Sequence, residues 1–376
     1  MTRGSTKELN RGDTYDPFVR GRFPVGVRTF EAMDQARDCR FPCEIWYPAA
    51  SRHVNEDLTP GAQDVFTAPR RDAPRSQMAV RDAAAQPGEY PLIVFSHHSG
   101  GNRRSATFLC THLSSHGYVV AALDHSEVVA AKLAPKEGET AQQRAALGEA
   151  WLANRVPDIG FLLDLVLNSQ VLNSQVLNRT EWDSEVQVDP TRIGIVGHSL
   201  GGWTALAAPE AQRDIRAVVA LAPGGTSHPK PGMLPAKLAF HWRRDVPTLY
   251  LVAENDTMTS LDGMIELFER TPATKQMIIL RRADHLHFMD NVEQEHETVR
   301  NMTWSGELAW ISKEMRPMAE LCSGQQAQLF VRGLTLCHMD AVLRRQTDAR
   351  QLLAGDVEAK LGERGIDAIV HRPQHL

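Results

Sequence analysis

The sequence is poor in cysteine, with five among 376 residues (Cys39, Cys43, Cys110, Cys322 and Cys337) and no CxxC pair. An odd, scattered set excludes a disulfide framework or a zinc ribbon as the organising device and leaves reduced, packed thiols. Long hydrophobic runs are missing too: no apolar stretch approaches the roughly 20 residues that span a bilayer. The opening, MTRGSTKELNRGDTYDPF, has no apolar core of the secretory kind, so the expectation is a soluble, cytoplasmic protein. Nor is positive charge in excess. Lys plus Arg number 41 against 46 Asp plus Glu, a net charge of −5 that gives a nucleic-acid partner no electrostatic footprint. What the chain does have is 42% hydrophobic and 23% charged residues, an ordinary globular balance with material for a large core.

Residues 1–21 read as a polar, flexible segment. Phe41, Cys43, Ile45 and Tyr47 then alternate with polar or smaller neighbours, as in a half-buried strand of an early antiparallel hairpin. From about 51 to 89 the chain is rich in Ala, Arg, Asp and Pro without sustained periodicity, which predicts a partly mobile surface insertion. Short apolar runs follow at 92–95, 119–123, 193–196, 217–221, 248–252 and 277–280, separated by helical stretches. Runs rich in Val, Ile and Leu without alternation mark strands covered on both faces, hence an α/β chain with a mostly parallel sheet flanked by helices. At 166–178 the segment VLNSQVLNSQVLN repeats a five-residue unit, read as a small duplication extending a helix end. Beyond about 296 a helical extension is expected to pack on the sheet, with Leu308, Ile311, Met315, Met318 and Cys322 forming one apolar stripe. That stripe faces either the protein itself or a second copy, so a homodimer stays open.

Chemistry concentrates at Gly197-His198-Ser199-Leu200-Gly201-Gly202, between an apolar run and a helix-compatible stretch. A G-x-S-x-G turn in a strand-to-helix context is a nucleophile elbow, with the serine in a strained conformation and glycines where a Cβ would collide with neighbours. A serine alcohol is a weak nucleophile at neutral pH and needs an imidazole base oriented by a carboxylate, in the chain order Ser, acid, His. Asp256, in the polar turn after 248–252, is the preferred acid, with Glu254 competing. His285, after 277–280, is the preferred base, and His287 reads as a loop or core imidazole donating to a carbonyl. The H-x-H pair has no further ligand at a diagnostic spacing, so no metal and no cofactor are expected. The oxyanion calls for two backbone donors. Leu200 supplies one, and the turn at Ser96-His97-His98-Ser99-Gly100-Gly101 supplies the other, assigned to Ser99 with the neighbouring His98 as the alternative. His97 reads as structural.

The segment PLIVFSHHSGGNRRSATFLCTHLSSHGYVVAALDHSE (91–127), together with IGIVGHSLGGWTAL (193–206), resembles an α/β-hydrolase group. That group contains platelet-activating factor acetylhydrolases, dienelactone-hydrolase-like proteins and cutinase-type polyester hydrolases. The likeness runs over about 22–295, and it implies a catalytic domain on the α/β-hydrolase fold. Three departures stand out. The acetylhydrolases place their acid near 218–223, where this chain reads Leu221-Ala222-Pro223; the cutinase-like position at Asp256 supplies one instead. Dienelactone hydrolases use cysteine where Ser199 stands. His98 replaces a usual glycine and Ser99 an aromatic residue of the polyester hydrolases.

The expected function is a serine esterase acting on a small to medium carboxylic ester through an acyl-enzyme. Amide, carbamate or lactone cleavage by the same triad is the alternative, and a binding protein on a silent hydrolase fold is the rival of another class. His98, His198, Met233 and Trp242 are the candidate substrate contacts, the last two within a stretch (224–244) that forms either a cap or part of the core.

Overall fold

The computed structural model describes residues 15–67, 73–136, 138–168 and 186–372. Most of the five-residue repeat lies outside the described residues, as does most of the N-terminal segment. All six apolar runs are strands: β6 (Gly88–Ser96), β7 (Val119–Leu123), β8 (Val186–His198), β9 (Ile215–Leu221), β10 (Thr248–Ala253) and β11 (Lys275–Leu280). They lie parallel to one another in a ten-stranded sheet of order β12-β11-β10-β9-β8-β6-β7-β2-β1-β5, whose remaining strands are β1 (Val25–Asp34), β2 (Cys39–Pro48), β5 (Val80–Arg81) and β12 (Ala368–Val370). Their central side chains are buried, which is why these strands carry no polar alternation.

The early hairpin is β1 (Val25–Asp34) against β2 (Cys39–Pro48), and β2 pairs antiparallel with β7. One expectation fails here: β2 is covered on both faces, with Glu44 and Trp46 as buried as Ile45. The cause is the 51–89 excursion, which folds back through β3 (Asp64–Thr67), β4 (Pro74–Gln77) and β5 (Val80–Arg81). Trp46 Nε1 donates to Gln77 at 2.7 Å, and Glu44 accepts from Arg81, Arg103 and Arg104. Polar residues on that face meet charged partners rather than water, so alternation in the sequence did not signal exposure.

Helices flank both faces. α1 (Thr107–Ser115) and α6 (Gly324–Leu343) pack together on one; α2 (Ala141–Leu167) and α3 (Leu200–Ala211) meet on the other. α4 (Leu261–Arg270) links β10 to β11, and α5 (Val292–Arg300) follows β11. α6 is part of the main core through Phe330, Leu334 and Met339. The stripe proposed from Leu308 to Cys322 is not one helix: helical structure covers Ile311–Glu314, Met315 is extended, and a short turn at Met318–Glu320 follows Pro317. Proline lacks the N–H a helix needs and disfavours the α region in the residue before it. Beyond the helices, β12 (Ala368–Val370) adds an antiparallel edge to β11 that the sequence reading did not include.

Candidate active site

The site is built where β8 ends. Ser199 has φ +57° and ψ −116°, a conformation costly for any side chain, and three backbone bonds hold it there. Its N–H donates to Leu221 O at 2.9 Å, and its carbonyl accepts from Trp203 and Gly224 at 3.0 Å each. The flanking glycines are obligatory. A Cβ on Gly197 would stand 2.0 Å from Gly201 O, and one on Gly201 would stand 2.0 Å from Ser96 O. The tight turn thus presses α3 against β6 and leaves the Leu200 N–H at the first turn of α3, where helices leave donors unpaired.

Two later turns bring polar groups to the same sheet edge. His285 follows β11, and its Nε2 lies 2.8 Å from Ser199 Oγ. Its Nδ1 lies 2.9 and 3.1 Å from the two Asp256 oxygens. Asp256 Oδ1 also accepts from the N–H groups of Met258 and Thr259 at 2.9 and 2.7 Å, which fixes the carboxylate plane. The adjoining residue, Asp284, ties the two turns together by accepting from Thr257 N, Thr257 Oγ1 and His285 N, each at 2.6 Å. Burial opposes the His285 imidazolium, but the Asp256 carboxylate outweighs it and the pKa rises. Around it the other rings stay neutral. Burial pushes His97 and His198 well below the ordinary value and His98 down to about 4. A buried, neutral surrounding with one imidazole biased toward its charged form suits general-base chemistry at a serine.

A family model described as platelet-activating factor acetylhydrolase, isoform II, matches residues 75–302, more than half of the chain and the whole Ser199-Asp256-His285 constellation. The chain belongs to that family. Among curated relatives of this family member, the platelet-activating factor acetylhydrolase of Cavia porcellus is 26% identical over 222 residues, covering 54% of this chain and 49% of that protein. Cutinase est1 of Thermobifida alba is 24% identical over 244 residues, covering 64% and 67%. The chain spans about half the length of the acetylhydrolases it matches. A solved ferulic acid esterase from Streptomyces cinnamoneus superposes with a TM-score of 0.57 at 22% identity, over 86% of this chain and 92% of that one, which establishes the α/β-hydrolase fold.

In this family member the competing residues sit elsewhere. Glu254 pairs with Arg281 and accepts from Arg282 N, away from His285. His287 is fully buried, with Nδ1 facing Asp284 N and Nε2 donating to Cys322 O at 3.1 Å. Of the substrate contacts expected, His198 is buried, donates to the His285 carbonyl at 2.9 Å and packs at a tilt against its ring with centroids 5.0 Å apart, so it backs His285 rather than lining a cleft. His98 is half-buried, packs on His198 at 5.4 Å and leaves its Nδ1 without a partner. Ser99 is exposed at the turn. Trp242 must be corrected: it is a core side chain, donating to Leu206 O at 3.1 Å two turns down α3 and packed edge-on against Phe240. Met233 is half-buried in an irregular loop between Gly232, which faces Leu308, and Leu234, which faces Gly148. Sequence reasoning missed Arg155 and Asp158, buried on the apolar face of α2 beside Ile159 and Leu162. Charges at the spacing of a core stripe were the signal available.

Proposed function

We propose that this chain is a serine hydrolase of small to medium carboxylic esters, working through an acyl-enzyme. The observation that carries this reading is the unbroken hydrogen-bond chain from Ser199 through His285 to Asp256. His285 Nε2 takes the Ser199 proton as Oγ attacks the ester carbonyl, and Asp256 stabilises the imidazolium that results. The N–H groups of Leu200 and Ser99 receive the oxyanion. The imidazolium then protonates the departing alkoxide, and a water activated by the same base opens the acyl-enzyme to acid and free Ser199. His98 in place of a smaller residue and Ser99 in place of an aromatic one favour compact substrates over polymer chains. Relatives named as acetylhydrolases, cutinases and an esterase support ester cleavage. The cytoplasm remains the proposed compartment, on five free and buried thiols.

Peptide mass spectrometry after fluorophosphonate treatment tests the nucleophile: the adduct is expected on Ser199, and Ser199→Ala is expected to lose both label and the burst with p-nitrophenyl acetate. A label on another residue, or none, sinks the reading.

A further inference from the structure

We infer that Arg155 is a positioning residue for the oxyanion-binding turn, gripping two successive carbonyls so that the Ser99 N–H is aimed at the reacting oxygen. This rests on the esterase reading above and concerns what holds its second donor in place. Arg155 comes from the middle of α2 and is wholly buried. Its Nη1 donates to the His97 carbonyl at 2.6 Å and reaches the Ser96 hydroxyl at 3.4 Å; its Nη2 donates to the His98 carbonyl at 3.3 Å and to the Glu127 carboxylate. The His98 carbonyl also accepts from Gly101 N at 3.0 Å and His97 Nδ1 at 2.7 Å. Across a trans peptide the carbonyl of one residue and the N–H of the next point opposite ways. Three donors on the His98 carbonyl therefore set the direction of the Ser99 N–H, although Ser99 itself lies on an exposed turn.

The planar guanidinium fork holds its donors in fixed directions, toward two carbonyls and the Glu127 carboxylate at once, where an ammonium on a flexible stem fixes no plane. Its anchorage is equally specific. Below it His125 bonds Ser96 Oγ at 2.8 Å and Asp158 at 3.0 Å, and Asp158 accepts further from Ser126 and from Arg37. His125, Glu127 and Asp158 hold their ligand atoms within 4.8 Å of one another, a spacing that could suit a metal. The positive charge facing these carboxylates is instead supplied by the Arg155 and Arg37 guanidinium groups, so the cluster anchors the turn. A buried ion pair is by itself weak evidence for a role in stability, and here the guanidinium spends its other donors on the His97 and His98 carbonyls of the turn.

The test uses the full chain, p-nitrophenyl acetate turnover and fluorophosphonate titration of Ser199, with Arg155→Lys and the double variant Arg155→Met/Glu127→Gln, which strands no carboxylate. Turnover per titrated Ser199 is expected to fall at least about tenfold in the double variant, approaching the 10²–10³ that loss of an entire oxyanion donor costs. KM moves far less, and inhibition by a trifluoromethyl ketone, whose hemiketal oxyanion uses the same donors, weakens in parallel. Arg155→Lys falls between. An Arg155 that only supports folding would lower the titratable fraction while turnover per site and ketone affinity stay at wild-type values, and that result overturns the inference. If the double variant yields no soluble protein, Arg155→Lys decides on the same readouts. Wild-type protein that neither labels nor turns over refutes the esterase reading itself and this inference with it, an outcome distinct from an active wild type indifferent to Arg155.

Discussion

His285 is the one imidazole at the Ser199 edge whose protonated form the fold favours, and under the proposed serine-hydrolase reading this sets the pH dependence of the reaction. Asp256 raises its pKa above the ordinary 6.5 against the effect of burial. The base must be neutral to accept the serine proton, so kcat/KM is expected to climb with pH along one limb centred above 6.5. Asp256→Asn removes the group that outweighs burial: the limb moves to lower pH and kcat drops by about four orders of magnitude, the usual cost of losing a triad carboxylate. Glu254→Gln, which removes the charge facing Arg281 without touching the Asp256–His285 contact, leaves the limb in place. A pH–rate series on the three proteins checks both statements, and a limb that moves with Glu254 instead would reassign the acid. The turn residues after the apolar runs mark Ser199, Asp256 and His285 in the sequence, and the fold brings His285 within hydrogen-bond distance of both the others. Arg155 was not legible in that way, because the partners that tie it to the turn are main-chain carbonyls of another loop, and no residue type marks a carbonyl in a sequence.

At the scale of elements, the elbow depends on backbone meeting backbone. A Cβ at Gly201 would press on the Ser96 carbonyl at 2.0 Å, with no flexible side-chain end to yield. Gly201→Ala is therefore expected to separate α3 from β6 and abolish Ser199 labelling, whereas Gly100→Ala, at φ +66° with open space around it, costs about 1 kcal/mol in a denaturant midpoint and keeps the label. Equal losses in the two variants would contradict a steric origin. The same scale shows what sequence patterns can and cannot carry. Strands β6 to β11 were visible because both their faces are buried by helices, leaving uninterrupted apolar runs. β2 was read as half-exposed because Glu44 and Trp46 look like a solvent face until Arg81, Arg103, Arg104 and Gln77 arrive from distant segments. The stripe from Leu308 to Cys322 kept helical spacing across Pro317, yet only Leu308, Ile311 and Met315 share a cluster, with Leu286 and Met289 beneath the loop that carries His285.

Across the whole molecule, buried neutral histidines link folding to acidity. An unfolded imidazole takes its proton near 6.5. In the fold burial holds His98 and His338 down to about 4, and it lowers His97, His112, His125, His198 and His287 as well. Between 6.5 and those folded values the unfolded chain binds more protons, so stability is lost as the pH falls through that window. His285, raised in the fold, has the opposite sign: its contribution is complete below 6.5 and is lost as the pH rises through its folded value. Burial also raises the carboxyls of Asp57, Asp124 and Asp290, which opposes the trend at its acid end. The lowered imidazoles outnumber these, and a shift from 6.5 to about 4 is worth roughly 2 kcal/mol at pH 5 for His338 alone. Calorimetry is accordingly expected to give a lower Tm at pH 5 than at pH 7.5. His338→Gln, which keeps a donor for the Pro247 carbonyl that His338 now bonds at 3.1 Å, removes one titrating ring and should narrow that difference. A Tm that holds level or rises on acidification would mean that these rings are already charged in the folded protein, and the neutral surroundings assigned to His285 would fall with it.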